Sequence, residues 1–187
     1  MAQRRPAPGP DQPLRPGDPP RPHRLALVPL PAPVLAALLR GDLAAASATA
    51  GTPLTSWFVD EGWLWRLRLD QAATDPQALE WTARAALDLA GGVVVGHVGF
   101  HGPPDAGGTV EVAYAVDPVR RRRGYGTAML AAALAWAADA PGVRVVRASV
   151  GPDNAASLAT LRPFGFRHVG EQVDEEDGLE LLFEREV

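Results

Sequence analysis

Cysteine is absent from the 187 residues of this chain, which excludes disulfides, thiolate metal sites and a cysteine nucleophile. Lysine is absent as well, so every fixed cation is an arginine, a bias that reads as the coding preference of a GC-rich genome. No uninterrupted apolar run of about 18 residues occurs, so no membrane-spanning helix is expected. Positive charge is also scarce. Eighteen basic residues stand against 22 acidic ones, for a formal net charge of -4 and an isoelectric point near 5.5, which argues against a general nucleic-acid binder. The first 22 residues are mostly Pro, Gly and Arg, without the apolar stretch of a signal peptide. Residues 1–22 are expected to form a disordered Pro/Arg-rich tail, because they bury too little apolar surface to offset the entropy of ordering, and the protein is expected to be cytoplasmic.

What the chain does carry is Arg121-Arg122-Arg123-Gly124-Tyr125-Gly126, followed at once by the apolar run Thr127-Ala128-Met129-Leu130. Two glycines one residue apart let the backbone turn tightly, so that several N–H groups point one way at the start of a helix. The helix dipole and the neighbouring guanidiniums add positive charge there, which favours a pyrophosphate over a neutral ligand. A solvated basic loop is the other reading of Arg120 to Arg123. A nucleic-acid site on the same arginines is a third, recognisable by salt-dependent binding to mixed DNA and RNA.

Along the chain, Leu25 and Leu27 mark a first strand within His23 to Leu30, and Pro31 to Arg40 an amphipathic helix closed by Gly41. Pro53 to Gln77 is expected to be helix and loop; its Trp57, Trp63 and Trp65 are either core anchors or pocket walls. Strands over Trp81 to Leu89 and Val93 to Phe100 form a hairpin about Ala90-Gly91-Gly92. Val110 to Val116 is a third, with Glu111, Ala113 and Ala115 on one face and Val112, Tyr114 and Val116 on the other. Thr127 to Asp139 is apolar almost all round and predicts a helix buried between layers. A strand at Val143 to Val150, a helix capped by Asp153 or Asn154, and a hairpin of Phe166 to Val173 with Leu179 to Glu184 about the acidic turn Asp174 to Gly178 complete the chain. The fold class is α/β: one mixed, mostly antiparallel sheet flanked by helices, with a central βαβ unit whose ligand gathers at the carboxyl ends of the strands.

Arg121, Gly124 and Gly126 meet the glycine signature of the GNAT superfamily of acyl-CoA-dependent N-acyltransferases: Gln or Arg, two residues, Gly, one residue, Gly or Ala. Glu111-Val112-Ala113-Tyr114-Ala115-Val116-Asp117-Pro118 is similar to the family's preceding strand. Asn154-Ala155-Ala156-Ser157-Leu158 and Phe164-Gly165-Phe166 are similar to its Asn-x-x-Ser helix and Gly-Phe strand start. The resemblance covers residues 23–187 as one N-acetyltransferase domain and is nearest the branch resembling ribosomal-protein N-terminal acetyltransferases. It implies acetyl-CoA as co-substrate and no metal, with main-chain amides of Arg121, Arg122, Arg123, Gly124, Tyr125, Gly126 and Thr127 on the pyrophosphate. It also implies that the pantetheine arm pairs with an edge at Ala115 and Val116, and that Asn154 and Ser157 lie along the arm; capping its own helix is the other role of Asn154.

The implied reaction is acetyl transfer to a primary amine, of a small molecule or a peptide N-terminus, by direct attack, in a monomer or homodimer without membrane or nucleic-acid partners. Glu111 is the candidate base, or else a glutamate that orients substrate or pairs with an arginine while a water chain removes the proton. Family members often carry a tyrosine four residues after the Ser to protonate the departing thiolate. Here that position is Leu161, which leaves solvent, the substrate ammonium or Ser157 in its place, and Tyr114 as a weaker substitute on the face opposite Glu111. The missing tyrosine also motivates an alternative, a non-catalytic acyl-CoA-binding regulatory module. Pro163 should end its helix early. His97 and His101 are too far apart on a strand, about 13 Å, to share a metal, and His23 and His168 are isolated.

Overall fold

Period-two alternation in the strands and one alanine-rich helix divide the molecule into two packed layers about a single sheet. The computed structural model describes residues 23–175 and 178–187; the expected tail at 1–22, and Glu176 and Asp177 of the acidic turn, lie outside them. Strands β1 (Leu25–Pro29), β2 (Arg84–Asp88), β3 (Val93–Phe100), β4 (Thr109–Val116), β5 (Val145–Val150), β6 (Arg167–Asp174) and β7 (Gly178–Glu186) lie in the order β1-β2-β3-β4-β5-β7-β6. Every neighbouring pair is antiparallel except β4 and β5, as the mixed-sheet expectation required.

Helices α1 (Ala32–Leu39), α2 (Leu43–Ala50), α3 (Trp57–Asp60), α4 (Gly62–Thr74) and α5 (Ala78–Thr82) cover one face of the sheet, around a core of Leu35, Leu38, Phe58 and Trp65. Helix α6 (Tyr125–Asp139) and α7 (Ala155–Leu161) cover the other, where Met129, Leu130, Ala133 and Leu134 meet Val98, Phe100, Val110 and Val112. The buried residues of α6 recur every three or four positions, one stripe of a 3.6-residue helix. Its expected burial on all sides is not observed: Thr127, Ala131, Ala135 and Ala138 are exposed. Alanine gains too little from burial to demand a second layer, and here it supplies helix propensity instead.

The strand expected from Trp81 begins only at Arg84. Residues Ala78 and Thr82, four apart, are both buried, which is the spacing of one helical turn, and that turn occupies the stretch. Proline acts as expected after α7, which stops at Leu161 and passes into a 3-10 turn, Arg162–Phe164.

The feature that positions the site is a parting of strands. β4 pairs with β5 only from Thr109–Val145 to Glu111–Arg147, whereas β5 stays paired with β7 over its whole length and β4 stays paired with β3. The carboxyl half of β4 therefore has a free side at mid-sheet. Gly96 holds that half in place: a Cβ there would overlap the Ala115 carbonyl oxygen and stand 2.6 Å from Met129 Cε. Gly96→Ala is expected to lower stability by ~1–3 kcal/mol, the range for overpacking. Gly102→Ala, into open space, should leave the urea midpoint nearly unchanged in the same measurement.

Candidate active site

Two ends meet at the gap, the carboxyl end of β4 and the amino end of α6. Buried Asp117 closes β4 by accepting the Val119 N–H (3.2 Å) at the head of a 3-10 turn, Pro118–Arg120, and takes the Thr55 hydroxyl (2.9 Å) on its other oxygen. Arg121 Nε then donates back to the Val116 carbonyl at 3.2 Å. Arg122 at φ 59° and Gly124 at φ 85° are both left-handed, which turns the chain into α6 with no side chain capping its amino end. The Ala128 N–H is the one that reaches the Gly124 carbonyl, so the Tyr125, Gly126 and Thr127 amides precede the first full turn and carry the helix's positive pole.

A network the sequence did not disclose holds this turn. The Tyr125 hydroxyl donates to buried Asp88 at 3.0 Å, and the His23 ring lies on Tyr125 with centroids 4.0 Å apart. His23 Nε2 donates to the Arg123 carbonyl (2.7 Å), and its Nδ1 stands 3.7 Å from Asp88. Burial, followed by the Asp88 carboxylate, raises the Tyr125 phenol above its ordinary range, so it stays a donor at neutral pH. Nothing local signals a partnership between residues 23, 88 and 125. Expected to be isolated, His23 instead braces the turn into α6.

The main chain of β4 is partitioned by its ladder. His101 N–H donates to the Glu111 carbonyl (2.8 Å) and Asp117 N–H to the Val95 carbonyl (3.0 Å). Such bonds fall on alternate residues, so odd-numbered residues serve β3 while Tyr114 and Val116 direct their amides and carbonyls into the gap; Val112, next to the last β4–β5 pair, still gives its amide to β5. Of the two residues expected at a cofactor edge, Val116 turns its main chain into the gap, as Tyr114 does, while Ala115 gives its main chain to β3 and borders the same cavity.

Three cavities converge there. One of about 570 Å³ brings together Ala115, Val116, Arg121, Arg122, Gly124, Tyr125, Gly126, Thr127, Asn154 and Ser157 of the sequence-predicted cofactor residues. Arg123 is outside its lining. Asn154 Oδ1 accepts the Ser157 N–H at 3.0 Å, so it caps α7 and borders the cavity at once. A second, of about 260 Å³, holds Glu111 with Asn154, Ser157 and Ser149. The third, about 610 Å³ on the α4 side of the sheet, is lined by Trp63, Arg68, His97, His101 and Asp174. Tyr114 borders all three. Its hydroxyl is buried without a well-formed hydrogen bond, and burial pushes its phenol up, partly offset by the Thr160 and Ser157 hydroxyls. Tyr114 and Glu111 point to opposite faces, as alternation requires, yet both reach this junction because the gap passes through the sheet.

Glu111 pairs with no arginine among the described residues. It accepts the Ser149 hydroxyl at 2.6 Å, and His101 Nδ1 lies 3.7 Å away. Leu161, at the position where an acid was sought, is buried in the core. The tryptophans divide: Trp65 is core, Trp57 stacks on His97 at 5.1 Å, and Trp63 stands at the mouth of the largest cavity. His97 donates to Glu61 at 3.4 Å. None of the described helices is long and apolar enough to cross a membrane.

The acetyltransferase (GNAT) family model matches residues 48–166. The chain is 34% identical over 73 residues to the uncharacterized N-acetyltransferase YjdG of Bacillus subtilis (strain 168), covering 39% of this chain and 44% of that protein. It is 45% identical over 65 residues to the mycothiol acetyltransferase of Clavibacter michiganensis subsp. michiganensis (strain NCPPB 382), covering 29% of this chain and 21% of that protein. The chain thus spans less than half the length of the curated relatives it matches. Among solved structures, Mycobacterium smegmatis RimJ in complex with CoA-disulfide aligns with a TM-score of 0.58 at 23% identity, over 87% of this chain and 85% of that one. Ribosomal-protein-alanine N-acetyltransferase from Brucella melitensis aligns at 0.55 and 24% identity, over 87% and 100%. These two likenesses show a shared fold.

Tyr125→Phe leaves the buried Asp88 carboxylate short of a donor. Its expected effect is a loss of ~1–3 kcal/mol, the penalty for an unsatisfied buried group, read as a lower midpoint in urea denaturation followed by tryptophan fluorescence.

Proposed function

Since the chain belongs to the acetyltransferase (GNAT) family, we propose that it transfers acetyl from acetyl-CoA to a primary amine by direct attack, within a domain spanning residues 23–187. The observation that carries this reading is the parted edge of β4, where Tyr114 and Val116 offer main-chain donors and acceptors beside an uncapped helix start. An extended amide-bearing chain such as pantetheine fits an open strand edge, because it completes the ladder that β5 abandons. Its pyrophosphate belongs at the amides of Tyr125, Gly126 and Thr127, with Arg121 and Arg122 adding charge. A Cβ on Gly126 would stand 3.7 Å from Thr160 Oγ1 and 3.8 Å from the Tyr114 ring, inside that cavity, which fits a cradle kept clear for a ligand.

An amine attacks a thioester only after losing its proton, and Glu111 is placed to take it. Its carboxylate is steadied by Ser149, and His101, with more than half of its side chain exposed, gives the proton a way out to solvent. As the carbonyl oxygen gains charge, a main-chain N–H of the open edge stabilises it; one preorganised donor supplies about 2.7–4 kcal/mol. With Leu161 unable to act, Tyr114 is the acid nearest the junction of the cavities, and its raised pKa keeps it protonated. The acceptor, a small-molecule amine or a peptide N-terminus, enters from the 610 Å³ cavity, whose walls include Glu61, Asp174 and Glu175, suited to an ammonium.

Gly126→Val should weaken acetyl-CoA binding at least about tenfold by calorimetry with far-UV circular dichroism unchanged, since its side chain fills the space a ligand would take. Equal affinity would contradict the assigned cradle. Glu111→Gln should lower kcat by about 10²–10⁴-fold, the usual worth of a positioned base, while the acetyl-CoA dissociation constant stays the same.

A further inference from the structure

Arg68 of α4 is the only arginine buried among the described residues, at 5% exposure. Its Nη1 donates to Gln71 Oε1 (2.9 Å) and, at the 3.5 Å limit, to the His101 carbonyl. Nε is buried without a partner, and none of the ion pairs among the described residues includes Arg68. Burying an unpaired cation is expensive, and burial lowers the pKa of this guanidinium. A fold retains such a group where something else brings the anion. The guanidinium faces the 610 Å³ cavity, which Ala115 and Tyr114 share with the cavity at the strand gap.

We propose that Arg68 anchors a carboxylate on the acceptor, so that the amines acetylated here carry an acid group a few bonds from the nitrogen. The inference rests on the acetyl-transfer reading for its orientation. His101 gives the spacing: its carbonyl accepts from Arg68 while its ring stands 3.7 Å from Glu111. One residue therefore separates the cation from the base. A short amino acid spans that interval, with its ammonium toward Glu111 and its carboxylate on the fork of the guanidinium, whose planar geometry suits two parallel bonds. Of the acids on the same wall, Glu61 is held by His97 at 3.4 Å. A peptide whose first side chain is acidic presents the same pair of groups.

Binding tests this without requiring turnover. Protein saturated with CoA is titrated by calorimetry with glycine, β-alanine and 4-aminobutyrate against their amides, and with the amidated tripeptides Asp-Ala-Ala and Asn-Ala-Ala. At least one acid is expected to bind about tenfold or more tightly than its neutral partner, and which set does so separates free amino acids from peptides. Arg68→Gln should erase that preference while CoA affinity is kept; Arg68→Lys, which retains charge without the fork, should restore part of it. Equal or absent binding of every acid and its neutral partner, or a preference that survives Arg68→Gln, overturns the proposal. If the preference stands but no thiol is released from acetyl-CoA with the bound amine, the acetyl-transfer reading fails and the anchor remains.

Discussion

β4 and β5 run side by side for three residue pairs and then separate, leaving the amides and carbonyls of Tyr114 and Val116 without strand partners at the centre of a sheet. A main-chain polar group that is buried and unpaired costs about as much as a lost hydrogen bond. A central gap of this kind persists only where other atoms satisfy it, and the Arg121 guanidinium on the Val116 carbonyl is one such partner. The rest of the edge is open to a ligand able to pair like a strand. The three cavities, the turn into α6 and Glu111 are all arranged around that opening.

Holding the gap open requires rigid abutments, and both are built from buried carboxylates. Asp117 ties the end of β4 to Thr55 ahead of α3, so the helices on that face and the open edge of β4 share an anchor. Asp88 ties the start of α6 to the end of β2 through Tyr125, with His23 lying over the ring. Each takes its donors from segments far apart in sequence, which makes the cradle a product of the whole domain and not of the glycine loop alone.

Charge is sorted by depth. Arg121, Arg122 and Arg123 are exposed at the mouth of the cradle, where they attract an anion without the penalty of burial. Arg68 is the exception, a cation taken out of water on the acceptor side. Glu61, Asp174 and Glu175 line the same cavity, so its wall carries both signs of charge. An overall excess of acid thus coexists with an exposed arginine cluster and one buried arginine.

The strands of the second half, the helix opening at Gly124-Tyr125-Gly126 and the alternation of β4 were legible in the sequence, because each depends on backbone rules that act over a few residues: period two, glycine at positive φ, alanine in a helix. Trp81 was misread because a single turn between proline and strand satisfies the same apolar spacing as an extended segment. Which main-chain groups of β4 face the gap was not legible, since it is fixed by register against β3. Sequence by itself determined the family and most of the elements. Tertiary structure alone decided that Tyr114 stands where three cavities meet, that His23 and Asp88 brace Tyr125, and that Arg68 is buried without a counter-ion among the described residues, because those facts rest on contacts between segments tens of residues apart, where no local periodicity reaches.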